Sequence, residues 1–332
     1  MSGGRVSSFL VAAVSAAVLA FPAVAGPRAN GAAGGPVAIF YYPWYSTPTR
    51  DGRWAHWYVD NDGAPVLSTA YFPSRGLYSS SNVKIVAAQM REIAVAGVDT
   101  VVVSWWGSGS PEDDRLGLVV EAATRQGLAV AIHIEPYGGR TPSRAAADMA
   151  RLHEEEGVTD FYVYDADRDP AAEWADALDP LDGVRVFAHT TLVGRAKASG
   201  FDGVYTYDVV TWSGALFKRL CTEAHAVGLL CAPSVGPGYD ARLATRHEAV
   251  RERLGGATYD RMWKTALRSN ADVVTITSYN EWQEGTQIEP ARAQVGRPSY
   301  ERAWGRSGLA AQRAYLAATA GWAARIHDRP PQ

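Results

Sequence analysis

Residues 100–137 read TVVVSWWGSGSPEDDRLGLVVEAATRQGLAVAIHIEPY. Thr100–Trp106 is an apolar, β-branched run, and Leu116–Arg125 has the spacing of an amphipathic helix. Gly127 stands at the C′ position where helices commonly end, and Ala129–Tyr137 is a second apolar run. Strand, helix and strand in this length make a parallel crossover unit. Outward from it the alternation repeats. Strand-like runs occur at Val37–Tyr45, Asp160–Asp165, Val184–His189, Gly203–Asp208, Leu229–Val235 and Val273–Tyr279. Helical spacing marks Asn82–Ala96, Ser143–Glu156, Ala171–Leu178, Gly214–Val227, Tyr259–Ser269 and Tyr300–Ala318, with Gly97, Gly157 and Gly228 closing three of them. Eight strands alternating with helices predict a (β/α)8 barrel of the α/β class. A doubly wound open sheet is the competing arrangement. No G-x-G-x-x-G joins the first strand to a helix, which disfavours its dinucleotide-binding form. No composition break or fixed-period repeat divides residues 36–325, so one catalytic domain is expected there.

Composition narrows the function. The 332 residues carry 32 Lys+Arg against 35 Asp+Glu, a net charge of −3, with 47% hydrophobic and 20% charged residues. This is ordinary globular composition, unlike disordered, collagen-like or multi-span membrane chains. The near-neutral balance gives no basic face for nucleic acid. Aromatics stand out, with 11 Trp, 16 Tyr and 8 Phe. Many lie near Gly and Pro, where rings more often form binding surface than core.

The first residues, MSGGRVSSFLVAAVSAAVLAFPAVAG, combine a positive Arg5, an apolar run from Phe9 to Phe21 and the small-x-small pattern Ala23-Val24-Ala25. Residues 1–25 therefore read as a secretory signal peptide; the run is too short for a stable membrane anchor. Residues 26–35 read as a disordered leader, and the mature protein is expected to be extracellular. In that oxidising setting Cys221 and Cys231 form either one disulfide or two buried thiols. Spacing alone leaves both open, and it sets no oligomeric state.

In a barrel the chemistry belongs at the C-terminal strand ends. There the chain places Tyr42 and Trp44, Trp105 and Trp106, His133, Glu135 and Tyr137, Tyr205 and Tyr207, Tyr239, and the run Asn280-Glu281-Trp282-Gln283-Glu284. Strand alternation puts His133, Glu135 and Tyr137 on one face. Two or three carboxyls, phenol hydroxyls and rings that can stack on sugar CH faces suit acid/base work on a glycan. A lone Glu at such a position more often caps a helix or pairs with an Arg; the pairing of Glu281 with Glu284 departs from that pattern. No H-E-x-x-H or Cys/His cluster suggests a metal, and Ser234 is not in a G-x-S-x-G elbow. Gly236-Pro237-Gly238 is discounted as a phosphate cradle because Pro233 and Pro237 lack N–H donors. No metal or cofactor is expected.

Five segments together, Phe40–Tyr45, His133–Tyr137, Gly200–Tyr207, Pro233–Tyr239 and Ser278–Glu289, resemble glycoside hydrolase family 99, the endo-α-1,2-mannosidases. The resemblance runs in order over most of residues 37–290. It implies a (β/α)8 barrel that hydrolyses internal α-1,2-mannosidic bonds of α-mannan or mannose-rich glycans with retention, without a metal. It further implies attack by the sugar's own 2-hydroxyl and a 1,2-anhydro intermediate. Glu281 would be the base for that hydroxyl. Glu284 would protonate the leaving oxygen and then activate water. Glu135, His133, Tyr205, Tyr207, Asn280 and Trp282 would line the −1 and neighbouring subsites. Gln283 replaces a His of vertebrate relatives. Trp106 follows the bacterial pattern at subsite −2, favouring mannose there.

Among the tryptophans, Trp44, Trp106 and Trp282 are expected as sugar platforms, with Trp54 and Trp57 flanking His56 on a loop that extends the cleft. Trp174, Trp263, Trp304 and Trp322 are expected to pack, while Trp105 and Trp212 stay unassigned. A related-barrel α-glucanase and a non-catalytic glycan-binding protein remain as alternatives.

Overall fold

A computed structural model of the chain describes Met1 and residues 35–329. The expected signal peptide (residues 1–25) and leader (residues 26–35) therefore lie outside the described residues, apart from Met1 and Gly35. Eight strands form the barrel: β1 (Val37–Tyr41), β2 (Thr100–Trp105), β3 (Ala129–Ile134), β4 (Asp160–Val163), β5 (Arg185–His189), β6 (Gly203–Tyr205), β7 (Leu230–Ala232 with Ser234–Val235) and β8 (Val274–Ile276). Every neighbouring pair is parallel, and β1 lies between β2 and β8. Closure falls on β7. Leu230–Ala232 pairs with β6, and Ser234–Val235 pairs with β8. Pro233 divides the two halves because it has no N–H for a ladder. Its carbonyl still accepts from Thr275 N–H at 3.1 Å, and Ser234 N–H donates to Thr206 Oγ1 at 2.9 Å.

Both faces of these strands are covered, which explains runs such as VAIFY of β1, buried at every position. Rings fill the lumen: Phe40 lies 4.7 Å from His133 between ring centroids, and Tyr162 stacks on Phe187 at 4.8 Å. Gly203 opens β6 directly against Phe187; a Cβ there would come within 2.5 Å of that ring. The outer layer comprises α1 (Val83–Val95), α2 (Pro111–Thr124), α3 (Pro142–Glu156), α4 (Ala171–Leu178), α5 (Val193–Ala198), α6 (Phe217–Ala226), α7 (Ala257–Leu267) and α8 (Ala314–His327). No helix of the described residues is long and apolar enough to cross a membrane.

Several boundaries differ from the sequence reading. Strands β1, β3 and β6 stop three or four residues early, and β4 and β8 also stop short, because the chain leaves the ladder to build loops. Helix α2 begins at Pro111, not Leu116: the Ser110 hydroxyl caps Asp113 N–H, and Glu112, Asp113 and Asp114 occupy the first turn. Helix α5 has no counterpart in the expected set. The last helix is displaced from 300–318 to 314–327. Arg302 and Trp304 adopt left-handed backbone, and the Tyr300 hydroxyl donates to Gln287 O at 2.9 Å, so this segment serves the loop after β8. A hairpin of Tyr58–Asn61 and Ala64–Leu67 lies outside the predicted elements.

Cys221 of α6 and Cys231 of β7 are disulfide-bonded, with Cα atoms 5.1 Å apart, which decides between the two alternatives. Trp174 and Trp263 are buried as expected, and Trp105 joins them, donating to Asp113 Oδ1 at 2.8 Å.

Candidate active site

The loop after β8 is built before its acids matter. Ser278 N–H donates to Thr286 O, Ile288 N–H returns to Ser278 O, and Glu289 N–H reaches Tyr279 O at 2.8 Å. Asn280 faces the end of β1: its Oδ1 accepts from Tyr42 N–H at 2.8 Å, and its Nδ2 donates to Tyr42 O at 2.9 Å. The Tyr45 hydroxyl donates to Asn280 O at 2.8 Å and accepts from Trp282 N–H at 3.0 Å. Asn280 is thus a splint between β1 and β8, fully enclosed. Trp282 is also 0% exposed, and its indole N–H donates to Glu289 Oε2 at 2.8 Å. The expected sugar platform at Trp282 is corrected: burial and that bond turn the ring into the protein.

With Asn280 and Trp282 turned inward, Glu281 and Glu284 are left at the barrel mouth. Glu281 accepts a short hydrogen bond from the Tyr207 hydroxyl, which also pairs with the Tyr42 hydroxyl. Burial, then the neighbouring Glu284, pushes the Glu281 carboxyl well above the usual range, while Tyr207 acts in the opposite direction. Glu284 is partly exposed yet crowded by protein. Burial and the charge of Asp208 push it up to about 7. Burial and neighbouring acids thus raise both carboxyls, so the pair retains protons at a pH where isolated glutamates are ionised.

On the other side of the mouth, Trp106 donates to Ser104 Oγ at 3.2 Å, and Ser104 donates to Glu135 Oε1 at 2.7 Å. His133 Nδ1 lies 3.0 Å from the same Glu135 oxygen without hydrogen-bond alignment, and its Nε2 pairs with the Tyr205 hydroxyl at 2.8 Å. Trp106 is 36% exposed. Trp44 stacks on His56 at 4.3 Å and 3°. Tyr239 is partly exposed, and burial followed by the charge of Glu284 raises its phenol. Tyr205 lies wholly beneath the surface. Tyr137 does not share the face of His133 and Glu135: β3 ends at Ile134, and the Tyr137 hydroxyl turns outward to Asp148 of α3. Trp57 is likewise buried, donating to Tyr78 O at 2.7 Å, so Trp54 alone of that pair stays exposed.

Three residues escaped the sequence reading. His189 Nε2 lies 3.1 Å from Asp208 Oδ2, the Tyr164 hydroxyl donates to Asp208 Oδ1 at 3.3 Å, and the Tyr164 and His189 rings stack at 4.5 Å. Burial alone would raise the Asp208 carboxyl, but His189 and Tyr164 together hold it below the usual range. Their positions at the ends of β4, β5 and β6 were the available signal. Gln283 also acts: its Nε2 donates to Ser68 Oγ at 3.0 Å and its Oε1 lies 3.4 Å from His56 Nδ1, tethering the loop after β1. Burial holds the His56 ring down to about 4. Among the described residues no group of three His, Cys, Asp or Glu side chains is placed to hold a metal.

Two neighbouring carboxyls held above the usual range beside phenol donors can take up and release protons at a substrate bound over the barrel mouth. Comparison with known proteins agrees. A Danio rerio glycoprotein endo-α-1,2-mannosidase-like protein is 30% identical over 316 residues, covering 77% of this chain and 71% of that protein. A Xenopus laevis glycoprotein endo-α-1,2-mannosidase is 29% identical over 317 residues, covering 76% and 69%. The solved endo-α-mannosidase of Bacteroides thetaiotaomicron superposes with a TM-score of 0.78 at 28% identity, covering 87% of this chain and 97% of that one. Residues 35–328 match the family model of glycosyl hydrolase family 99. With barrel, acid pair and family profile in agreement, the chain belongs to glycosyl hydrolase family 99 and is a glycoside hydrolase.

Proposed function

We propose that the protein is a secreted, retaining endo-α-1,2-mannosidase acting on α-mannan or mannose-rich glycans. The observation that carries the reading is the Tyr42–Tyr207–Glu281 hydrogen-bond chain beside the raised carboxyl of Glu284. Burial and Glu284 raise the Glu281 carboxyl, and the Tyr207 phenol opposes them by favouring its ionised form. The reactive state is the one in which Glu281 is ionised and Glu284, raised by burial and by the charge of Asp208, holds a proton. Glu281 takes the proton of the substrate 2-hydroxyl as that oxygen attacks the anomeric carbon. Glu284 gives its proton to the departing glycosidic oxygen, and a 1,2-anhydro sugar forms. The Glu284 carboxylate then takes a proton from water, whose oxygen opens the three-membered ring at the anomeric carbon. Glu281 returns its proton to the 2-oxygen, and configuration is retained after two inversions. No carboxylate has to reach the anomeric carbon, so the usual spacing of about 5 Å between acids in retaining enzymes is not required. The names of the relatives and the signal-like residues 1–25 support substrate and secretion respectively. Trp106 provides the ring for the sugar on the non-reducing side.

The test is incubation with yeast-type α-mannan, mass analysis of products, and NMR of the first-formed anomer, with and without EDTA. Release of mannose-containing oligosaccharides with α configuration, lost in Glu284→Gln, is expected. Cleavage of α-1,3-glucan in preference to mannan would support the glucanase reading. Binding without products would support a lectin.

A further inference from the structure

The loop bearing Glu284 is held from behind by an unusual cation. Arg253 is buried and makes no ion pair among the described residues. Its guanidinium instead lies 4.6, 4.9 and 4.6 Å from the ring centroids of Tyr71, Tyr300 and Tyr315. One nitrogen, Nη2, donates to Gly285 O at 2.8 Å and to Gln287 O at 2.6 Å. Nε and Nη1 have no partner. A buried charge without a counterion is costly, and burying it against three ring faces recovers part of that cost. An aliphatic side chain would avoid the penalty but would take this donor from the Gly285 and Gln287 carbonyls, so what the charge secures is the loop that bears Glu284.

The anchorage surrounds one residue. Asp240 N–H donates to Glu284 O at 2.8 Å, and Arg253 takes the carbonyls of the next residue and of Gln287. The Tyr300 hydroxyl, from the same cage, also donates to Gln287 O at 2.9 Å. The segment that supplies Arg253 is itself pinned. Arg251 donates to Val209 O and to Val210 O, next to Asp208. A Cβ on Gly238 would come within 2.8 Å of Arg253 Cγ. The loop after β7 thus brackets the ends of β6 and β8. Other buried arginines hold strand-end carbonyls in the same way: Arg115 on Pro43 O at 2.7 Å and Arg140 on Tyr164 O at 2.6 Å. Arg253 differs in having aromatic faces in place of an acid.

We propose that Arg253 is a positioning residue: caged by Tyr71, Tyr300 and Tyr315, it fixes the Gly285 and Gln287 carbonyls and thereby aims the Glu284 carboxyl at the leaving oxygen. This rests on the reading of Glu284 as the acid. Because an acid matters only when the leaving group needs a proton, the effect must depend on the leaving group.

The experiment compares kcat/KM of wild type, Arg253→Met, Arg253→Lys and Glu284→Gln on an α-1,2-linked mannan oligosaccharide and on the corresponding disaccharidyl fluoride, whose leaving group needs little protonation. Misplacement by about 1 Å costs on the order of 100-fold. Arg253→Met is therefore expected to lose about 10- to 100-fold on the oligosaccharide, in kcat with KM within about twofold, and under about threefold on the fluoride. Arg253→Lys recovers part of the loss. Equal losses on both substrates, or no loss per folded molecule, overturn the inference. Should Arg253→Met not fold, Tyr71→Leu, which removes the half-exposed wall of the cage, is read by the same two-substrate ratio. Full mannan cleavage by Glu284→Gln would defeat the acid assignment itself. Its loss in Glu284→Gln without loss in Arg253→Met defeats the positioning role alone.

Discussion

Tyr207→Phe separates the base from its supports. The ring is held independently of the hydroxyl: it lies 5.4 Å from His133 and 4.9 Å from Phe40 between centroids. Phe therefore keeps the packing and deletes the donor to Glu281. A hydrogen bond to a charged group is worth about 1.5–3 kcal/mol, and one pKa unit corresponds to about 1.4 kcal/mol, so the Glu281 carboxyl should rise by about 1–2 units. The sign follows from the role. Glu281 must be ionised to accept the 2-hydroxyl proton, and losing a donor to its ionised form favours the protonated one. The acid limb of kcat/KM on mannan oligosaccharide should move to higher pH by about 1–2 units. Below the limb, activity should fall about 10- to 100-fold and recover as pH rises, with an unchanged alkaline limb. A kcat/KM profile from pH 4 to 9, with melting curves at each pH, reads this directly. A uniform loss at all pH values, or an unmoved acid limb, would refute the assignment of the phenol as the support of an ionised Glu281.

Other outcomes follow from the same site. Glu284→Gln should lower kcat/KM on mannan by about 10²- to 10⁴-fold. It should also stabilise the protein: Glu284 is raised from 4.5 to about 7, so its burial destabilises the fold progressively as pH rises through that window. The melting advantage of the variant should grow from pH 4.5 to 7 and reach on the order of 3 kcal/mol; a constant difference would contradict it. Asp208→Asn removes a charge that raises Glu284, so the alkaline limb should move to lower pH, measured in the same profile. Trp106→Ala should raise KM about 5- to 10-fold with little change in kcat, since it removes a stacking face and no proton carrier. Cys221→Ser opens a cross-link of sequence separation 10 and should cost about 3 kcal/mol in denaturant unfolding, with kcat unchanged.

Most of the architecture was legible because its signals are local. Continuous apolar, β-branched runs marked all eight strands and period-3.6 patterns most helices, and Gly127 and Gly157 marked helix ends. The acid pair was legible for a related reason: Glu281 and Glu284 sit on one short loop, at the end of the barrel where side chains meet. The displaced final helix shows the limit. Residues 300–318 have helical spacing, but Tyr300 donates its hydroxyl to the loop after β8, and left-handed Arg302 and Trp304 break the turn.

What the sequence determined by itself was the list of strands, the end of the barrel that bears polar and aromatic groups, and the two carboxyls among them. What the tertiary structure decided was which way each group faces and what each touches. Trp282, Asn280 and Tyr137 read as sugar contacts along the chain, yet their hydrogen bonds to Glu289, Tyr42 and Asp148 turn them away from the cleft. His189, Asp208 and Arg253 carried no motif, yet strands and loops distant in sequence bring them around the acids. The physical reason is that periodicity is fixed by neighbours along the backbone, whereas a carboxyl's protonation is fixed by burial and by charges that only chain closure brings within reach.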